Sequence, residues 1–406
     1  MGGGVIGTCV AYYLVKEHGV KVTMIDPCAS IDGSPFEPPA ASGKAGGFLA
    51  RSWCDGQVTE QLTQLSYRLH QELSFLPSEY RELTTCSATK MPQLCSKLAQ
   101  DDGKTTSTTS TTSTTNKKHK RNNLPSFCDR GRFENVQETG NESNCAQVTP
   151  EKFVQALQAE TMKHGTLDIV RGRVVGVVGG GGTTPVQSIR IETTVCGGGG
   201  GGGSGEGEDG TTATLLLPCS AFVVAAGPWS NLCRKWGAPF TSLPPIEGLK
   251  AHSMVFEAAA DAVAFFVGLG DSGKEIEYYP RPDGSVYVCG EGADDSSVVE
   301  ERPGRVHVSR EKIKELRRNS AGLSSLFDAA DVRKESACHL PVVISSDGAP
   351  LICELEQGSR CFVGTGHTCW GILQGPGTGK CLAELIAGKP TSVDLTAFAT
   401  GLIGER

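Results

Sequence analysis

Gly2-Gly3-Gly4-Val5-Ile6-Gly7, read together with Asp26, decides the fold. Gly2, Gly4 and Gly7 spell G-x-G-x-x-G, the turn that lets a backbone approach a pyrophosphate and aims a helix N-terminus at it. Val10, Tyr13 and Leu14 recur at helical spacing, and Gly19 stands where a helix would stop. Val20 to Ile25 then reads as a buried strand closed by Asp26. That carboxylate lies 19 residues after Gly7, near the ~20 expected of the acid that holds a ribose. Glycine turn, helix, strand and terminal acid together predict a dinucleotide site. One piece is absent: the turn should follow a strand, yet only Met1 precedes Gly2. A doubly wound sheet lacking its first strand exposes two unpaired edges, so either the strand lies upstream of Met1 or another segment fills the gap.

Length and composition bound the rest. A chain of 406 residues can bury a large core and predicts about two domains. The net charge of −7 argues against a nucleic-acid footprint. No run of ~18 apolar residues predicts a membrane span. No charged-then-apolar leader opens the sequence, and a cytoplasmic protein is expected. The 16 cysteines include no C-x-x-C pair and read as reduced thiols filling the core.

Along the chain, Leu62, Leu65, Leu69, Leu73 and Leu76 give one apolar helix face. Residues 101–123, rich in Thr and Ser and ending in Lys and Arg, predict a disordered insertion. Thr149-Pro150 predicts a helix start, and Ile169 to Val178 a strand. Residues 196–210 predict a glycine-rich linker. From about 247 to 338 alternating strands dominate, with a charged helix from Arg310 to Arg318. A last helix is expected from Thr378 to Ala387, after a loop through Gly366 to Gly371. The fold class read from this is α/β: a Rossmann-like binding domain assembled from 1–60, 145–240 and 340–406. A β-rich α+β substrate domain, 61–144 and 241–339, is inserted into it.

Four stretches in this order carry a resemblance: the Gly2–Gly7 turn, Ser42-Gly43-Lys44-Ala45-Gly46-Gly47, Val224-Ala225-Ala226-Gly227-Pro228-Trp229, and Gly366-His367-Thr368-Cys369-Trp370-Gly371-Ile372-Leu373. Together they resemble the FAD-dependent D-amino-acid oxidase superfamily, which includes glycine and sarcosine oxidases. Tyr279 to Gly284 and Cys289-Gly290-Glu291 are similar to a eukaryotic branch that includes a yeast protein linked to endosome-to-Golgi transport. The resemblance implies non-covalent FAD. Gly2, Gly4, Val5, Ile6 and Gly7 would hold the pyrophosphate, Asp26 the ribose, and Val174 would lie beside the adenine. Ser42, Gly43, Lys44, Ala45, Gly46 and Gly47 would wrap the flavin side. Ala226, Gly227, Trp229 and Gly366 are assigned to the same cofactor, and Gly371, Ile372 and Leu373 would meet the isoalloxazine. The last helix would aim its N-terminus at the flavin pyrimidine.

The departures bear on the substrate. Where the glycine oxidase pattern has an arginine before a proline, this chain has Leu340-Pro341; a second expected arginine is Cys369. A simple α-amino acid therefore lacks its charged clamp at both positions. Arg281 could substitute, or could be a turn-flanking surface residue. Tyr278 and Tyr279 either line the substrate face or pack in the core. His367 reads as a structural hydrogen-bonder, and Lys44 as a phosphate contact or a cation at the flavin edge. The function implied is oxidation of an amine or amino-acid-like small molecule. The alternatives are a flavin-binding scaffold with trafficking partners and, on the glycine turn alone, an NAD-dependent dehydrogenase.

Overall fold

The computed structural model describes residues 1–91, 124–129, 131–182, 184–195, 211–270, 273–290, 299–300, 306–344 and 348–399. The insertion expected at 101–123 and the linker at 196–210 lie outside them.

Helix α1 (Val5–His18) starts directly on the glycine turn. It stops at Gly19, whose φ of 63° lets the Gly19 and Val20 N–H groups reach back to Val15 and Leu14. Its residues from Val5 to Val15 are almost all buried, because helices cover it on more than one side. Strand β1 (Val22–Asp26) follows. Helix α2 (Glu60–Glu72) buries Leu62, Leu65 and Leu69 of the leucine face read from sequence, Leu73 and Leu76 being buried beyond its end, and α3 (Pro150–Met162) opens with the expected proline. Strand β2 (Leu167–Arg171) pairs parallel with β1, Asp26 opposite Arg171. Strand β3 (Phe222–Val224) pairs parallel with β5 (Cys361–Thr365), which also takes β4 (Leu351–Glu354) antiparallel. Helix α4 (Gly371–Ile386) closes this part against α1 and α2.

Among the described residues no strand stands between β1 and β3. Met1 and Gly2 cross the gap themselves. The Gly2 N–H donates to Ile25 O (2.9 Å), the Met1 amine to Val223 O (2.7 Å), and the Ala225 N–H to Met1 O (2.9 Å). The expectation that Met1 leaves both edges bare is therefore corrected in part: the two residues make one hydrogen bond to the β1 side and two to the β3 side.

Two boundaries differ from the sequence reading. The single strand expected over Ile169–Val178 is broken at Gly172, where a Cβ would come within 2.7 Å of Ile191. Beyond it Arg173–Val178 joins an antiparallel meander with Ser188–Val195 and Thr211–Pro218. The last helix begins at Gly371, seven residues before the expected Thr378. Gly375, Pro376 and Gly377 look like helix breakers, but the glycines are there for contact. A Cβ at Gly377 would meet Ser66 Oγ at 2.3 Å, and one at Gly379 would meet Cys9 Cβ at 2.4 Å.

Of the two remaining sheets, the small one joins Phe48–Ala50, Cys145–Gln147 and Arg81–Glu82, and the large one has seven strands in the order Val332–Val343, Ile246–Glu257, Ser285–Gly290, Glu275–Pro280, Val263–Gly268, Thr84–Lys90, Phe133–Gly140. One face packs under the helix Arg310–Ala321. The other carries Phe266, Tyr279 and Tyr287 toward Phe48 and Trp53. The cysteines of the described residues are unpaired and mostly buried. Among those residues no helix is long and apolar enough to cross a membrane.

Candidate functional site

The glycine turn is fixed by contacts no side chain would permit. Gly2 has φ of 100°, and a Cβ on Gly7 would lie 1.9 Å from Gly2 O. Both oxygens of Asp26 are engaged: Oδ2 accepts from the Gly3 N–H (2.9 Å) and Oδ1 from the Cys28 N–H (2.8 Å). Burial raises the Asp26 pKa, and these two N–H donors oppose the rise. Ser42 Oγ accepts the Val5 N–H at 2.9 Å, tying the second glycine-rich stretch to the start of α1.

A cavity of about 890 Å³ opens along this turn. Of the residues singled out in the sequence, Gly2, Gly4, Val5, Ile6, Asp26, Ser42 and Ala45 line it. Val174, Ala226, Gly227 and Trp229 line it from the neighbouring strand ends, and His367, Gly371 and Ile372 from the start of α4. Leu340 and Pro341, noted for the arginine they replace, also face it, as does Cys369. The sequence reading missed His339, Trp236 and Arg171 to Arg173, which no local motif marks.

Other singled-out residues stand behind the wall. Gly7, Gly43, Gly47, Gly366 and Leu373 serve backbone packing; Gly43 abuts Pro38 O, Gly47 abuts Val148 O, and Gly366 abuts Val343. Gly46 lies against the Tyr279 ring. Lys44 does not line the cavity: its ammonium donates to Ala337 O at 2.9 Å, and burial lowers its pKa. For Tyr278 the substrate-face alternative is corrected and the core alternative holds. The period of two along Glu275–Pro280 sends it to the opposite sheet face, fully buried and stacked on Phe327 at 5.2 Å. Tyr279 is on the other face with Phe48 and Phe266 and does not line the cavity; its hydroxyl donates to Glu277 at 2.5 Å. Arg281 is neither a surface residue nor a free clamp. It is 6% exposed, 3.8 Å from Glu151, donates to Ala45 O at 3.3 Å and lies over the Tyr287 ring. His367 is the structural hydrogen-bonder expected: Nε2 meets Thr378 Oγ1 at 2.9 Å, and burial lowers its pKa to about 3, which keeps it neutral.

A family model described as DAO, FAD dependent oxidoreductase, matches residues 1–385. The chain belongs to this family. A Schizosaccharomyces pombe protein named as a putative oxidoreductase is 30% identical, over 97% of this chain and 95% of its own. Among solved structures, glycine oxidase from Geobacillus kaustophilus superposes with a TM-score of 0.67 at 16% identity, covering 98% of this chain and 96% of that one. L-proline dehydrogenase from P. horikoshii superposes with a TM-score of 0.66 at 13% identity, covering 96% and 92%. These two likenesses describe the fold.

The cavity of this FAD-dependent oxidoreductase fits an anionic dinucleotide. Two helices, α1 and α4, begin on its wall, and neither has an acidic residue in its first turn to neutralise its positive end. Glycines at the turn keep the backbone close to the opening. A volume of about 890 Å³ lies at the upper end of the ~300–1,000 Å³ usual for ligand sites.

Proposed function

We propose that this oxidoreductase holds FAD without a covalent bond and oxidises a C–N bond of an amine or amino-acid-like small molecule. The observation that carries the reading is the convergence of two helix starts, neither with an acid in its first turn, and Asp26 on one cavity. In this reading the Gly2–Gly7 turn and the start of α1 hold the pyrophosphate, Asp26 the ribose, and Val174 lies at the adenine. Ser42, Ala45, Ala226, Gly227 and Trp229 enclose the cofactor. Gly371 and Ile372 bring the positive end of α4 to the flavin ring, where it favours negative charge. FAD, when bound, supplies a two-electron acceptor that takes hydride from the carbon beside nitrogen. The chain itself contributes position and exclusion of water. Residues 1–60, 145–240 and 340–406 form the FAD part, and 61–144 with 241–339 the substrate part.

One of the three cavity thiols, Cys233, supports non-covalent binding: burial pushes it up to about 12, so it stays protonated and weakly nucleophilic. The test is acid precipitation of the purified protein followed by anaerobic mixing with a panel of amines and amino acids. FAD in the supernatant and bleaching of the flavin band by an amine are expected. Colour retained in the pellet overturns the non-covalent assignment, and a colourless protein overturns the cofactor assignment.

A further inference from the structure

The sheet face that carries Tyr279 also carries a carboxylate beside a cluster of aromatic rings. Glu277 stands opposite Phe266 on one neighbouring strand and opposite Cys289 on the other, so all three share one face. It is half-buried, and it accepts from Tyr279 (2.5 Å) and from the Cys289 thiol (3.4 Å). Trp53 packs on Phe266 with ring centroids 4.8 Å apart, and Trp370 meets the edge of Trp53 at 6.4 Å. Trp370 directly follows Cys369, which lines the cavity, and the charge of Glu277 reaches that thiol. The Trp53–Trp370 contact thus joins this sheet face to the α4 end of the cavity. Among the described residues no lysine, arginine or histidine pairs with it.

We propose that this face recognises an alkylammonium cation, with Glu277 as counter-ion and Trp53, Phe266 and Trp370 as the surrounding walls. A carboxylate neighbouring aromatic rings attracts a cation twice, through its charge and through the negative faces of the rings. The same surroundings repel a substrate carboxylate. The guanidinium that could reverse this, Arg281, is turned to Glu151 and Ala45 O. The arginines that do line the cavity, Arg171 and Arg173, sit with Val174 near Asp26. The inference rests on the amine-oxidation reading and sharpens it. Hydride leaves only from a carbon beside a neutral nitrogen, so the cation on Glu277 is a second, non-reacting nitrogen. A diamine is the substrate class that fits.

The test is isothermal titration calorimetry of the purified protein with tetramethylammonium, 1,4-diaminobutane and butyrate, on wild type, Glu277→Gln and Trp53→Leu. Saturable binding of both cations and none of butyrate is expected, with each substitution weakening cation binding about tenfold or more. Trp53→Leu keeps the test decisive where Glu277→Gln does not fold. Saturable butyrate binding without cation binding, or cation binding unchanged in both variants, overturns the proposal. Heat of binding does not depend on flavin, so FAD content measured on the same samples separates failure of the cofactor assignment from failure of this one.

Discussion

His70 Nε2 donates to the Ile372 carbonyl at 2.9 Å, and this is the carbonyl that Pro376, four residues on, has no N–H to serve. The bond runs from α2 to the first turn of α4, where Ile372 lines the cavity. Ser66, one turn before His70, does the same kind of work: its hydroxyl accepts the Gly377 N–H at 2.9 Å and donates to Gln374 O at 3.2 Å. Helix α2 thus replaces backbone bonds that the Gly-Pro-Gly sequence of α4 forgoes.

His70→Phe keeps a ring of similar size beside Phe153 but leaves a buried carbonyl unpaired. The expected loss is about 1–3 kcal/mol of unfolding free energy. FAD affinity should fall with it, because the displaced carbonyl belongs to the cavity wall. Urea unfolding and FAD titration of the variant check both. Loss of stability with unchanged affinity would separate the α2–α4 bond from the site.

Two buried imidazoles set an acid limit. Burial lowers His70 to about 4 and His367 to about 3, against an ordinary 6.5. Both are neutral when folded, while the unfolded chain binds their protons below pH 6.5. Their contribution is complete above pH 6.5 and is lost as pH falls from there toward 4 and 3. Each proton taken up on unfolding adds a slope of about 1.4 kcal/mol per pH unit in that window. Urea unfolding free energies between pH 7 and 4.5 should drop more gently in His70→Phe than in wild type. Parallel lines would show that His70 does not titrate as a buried neutral group.

Glycines divide into those held by contact and those held by dihedral angle. Gly379→Ala places a Cβ 2.4 Å from Cys9 Cβ in the α1–α4 contact and should cost about 1–3 kcal/mol. Gly19→Ala meets nothing within 4 Å, but its φ of 63° is unfavourable for alanine and should cost about 1 kcal/mol. Thermal melts of the pair test the order. Equal losses would mean that α4 can shift away from α1 without strain.

What the sequence makes legible here is what is local. The glycine turn, the α1 spacing and Asp26 lie within 26 residues, and each is recognisable from its neighbours. The start of α4 is not, because Gly377 and Gly379 are explained by Ser66 and Cys9, residues distant in sequence. His70 carries no motif, and its partner is 302 positions away. Tyr278 and Tyr279 were both open to the substrate face until strand register assigned them to opposite sides. Glu277 carries no motif for the same reason: only strand register sets it opposite Phe266, on which Trp53 packs.

Asp26 offers a separation between building the turn and binding the cofactor. Its folded pKa is raised, chiefly by burial, so the sign is opposite to that of a salt-bridged carboxylate. The stability it contributes is present below its unfolded pKa and lost as pH rises through the folded one. Above the folded pKa the buried charge therefore works against the empty fold. Asp26→Asn removes that charge and keeps one carbonyl oxygen for either the Gly3 or the Cys28 N–H. The other N–H then faces an amide donor, a penalty of about 1–3 kcal/mol that offsets the relief. Unfolding of the FAD-free variant should stay within about 1 kcal/mol of wild type. FAD binding should weaken by about tenfold or more, because an amide is a poorer acceptor for a ribose hydroxyl than a carboxylate. Urea melts of the FAD-free proteins and FAD titrations followed by flavin fluorescence measure the two effects apart. A variant that loses stability while keeping its FAD affinity would assign Asp26 to the turn alone and remove it from the cofactor site.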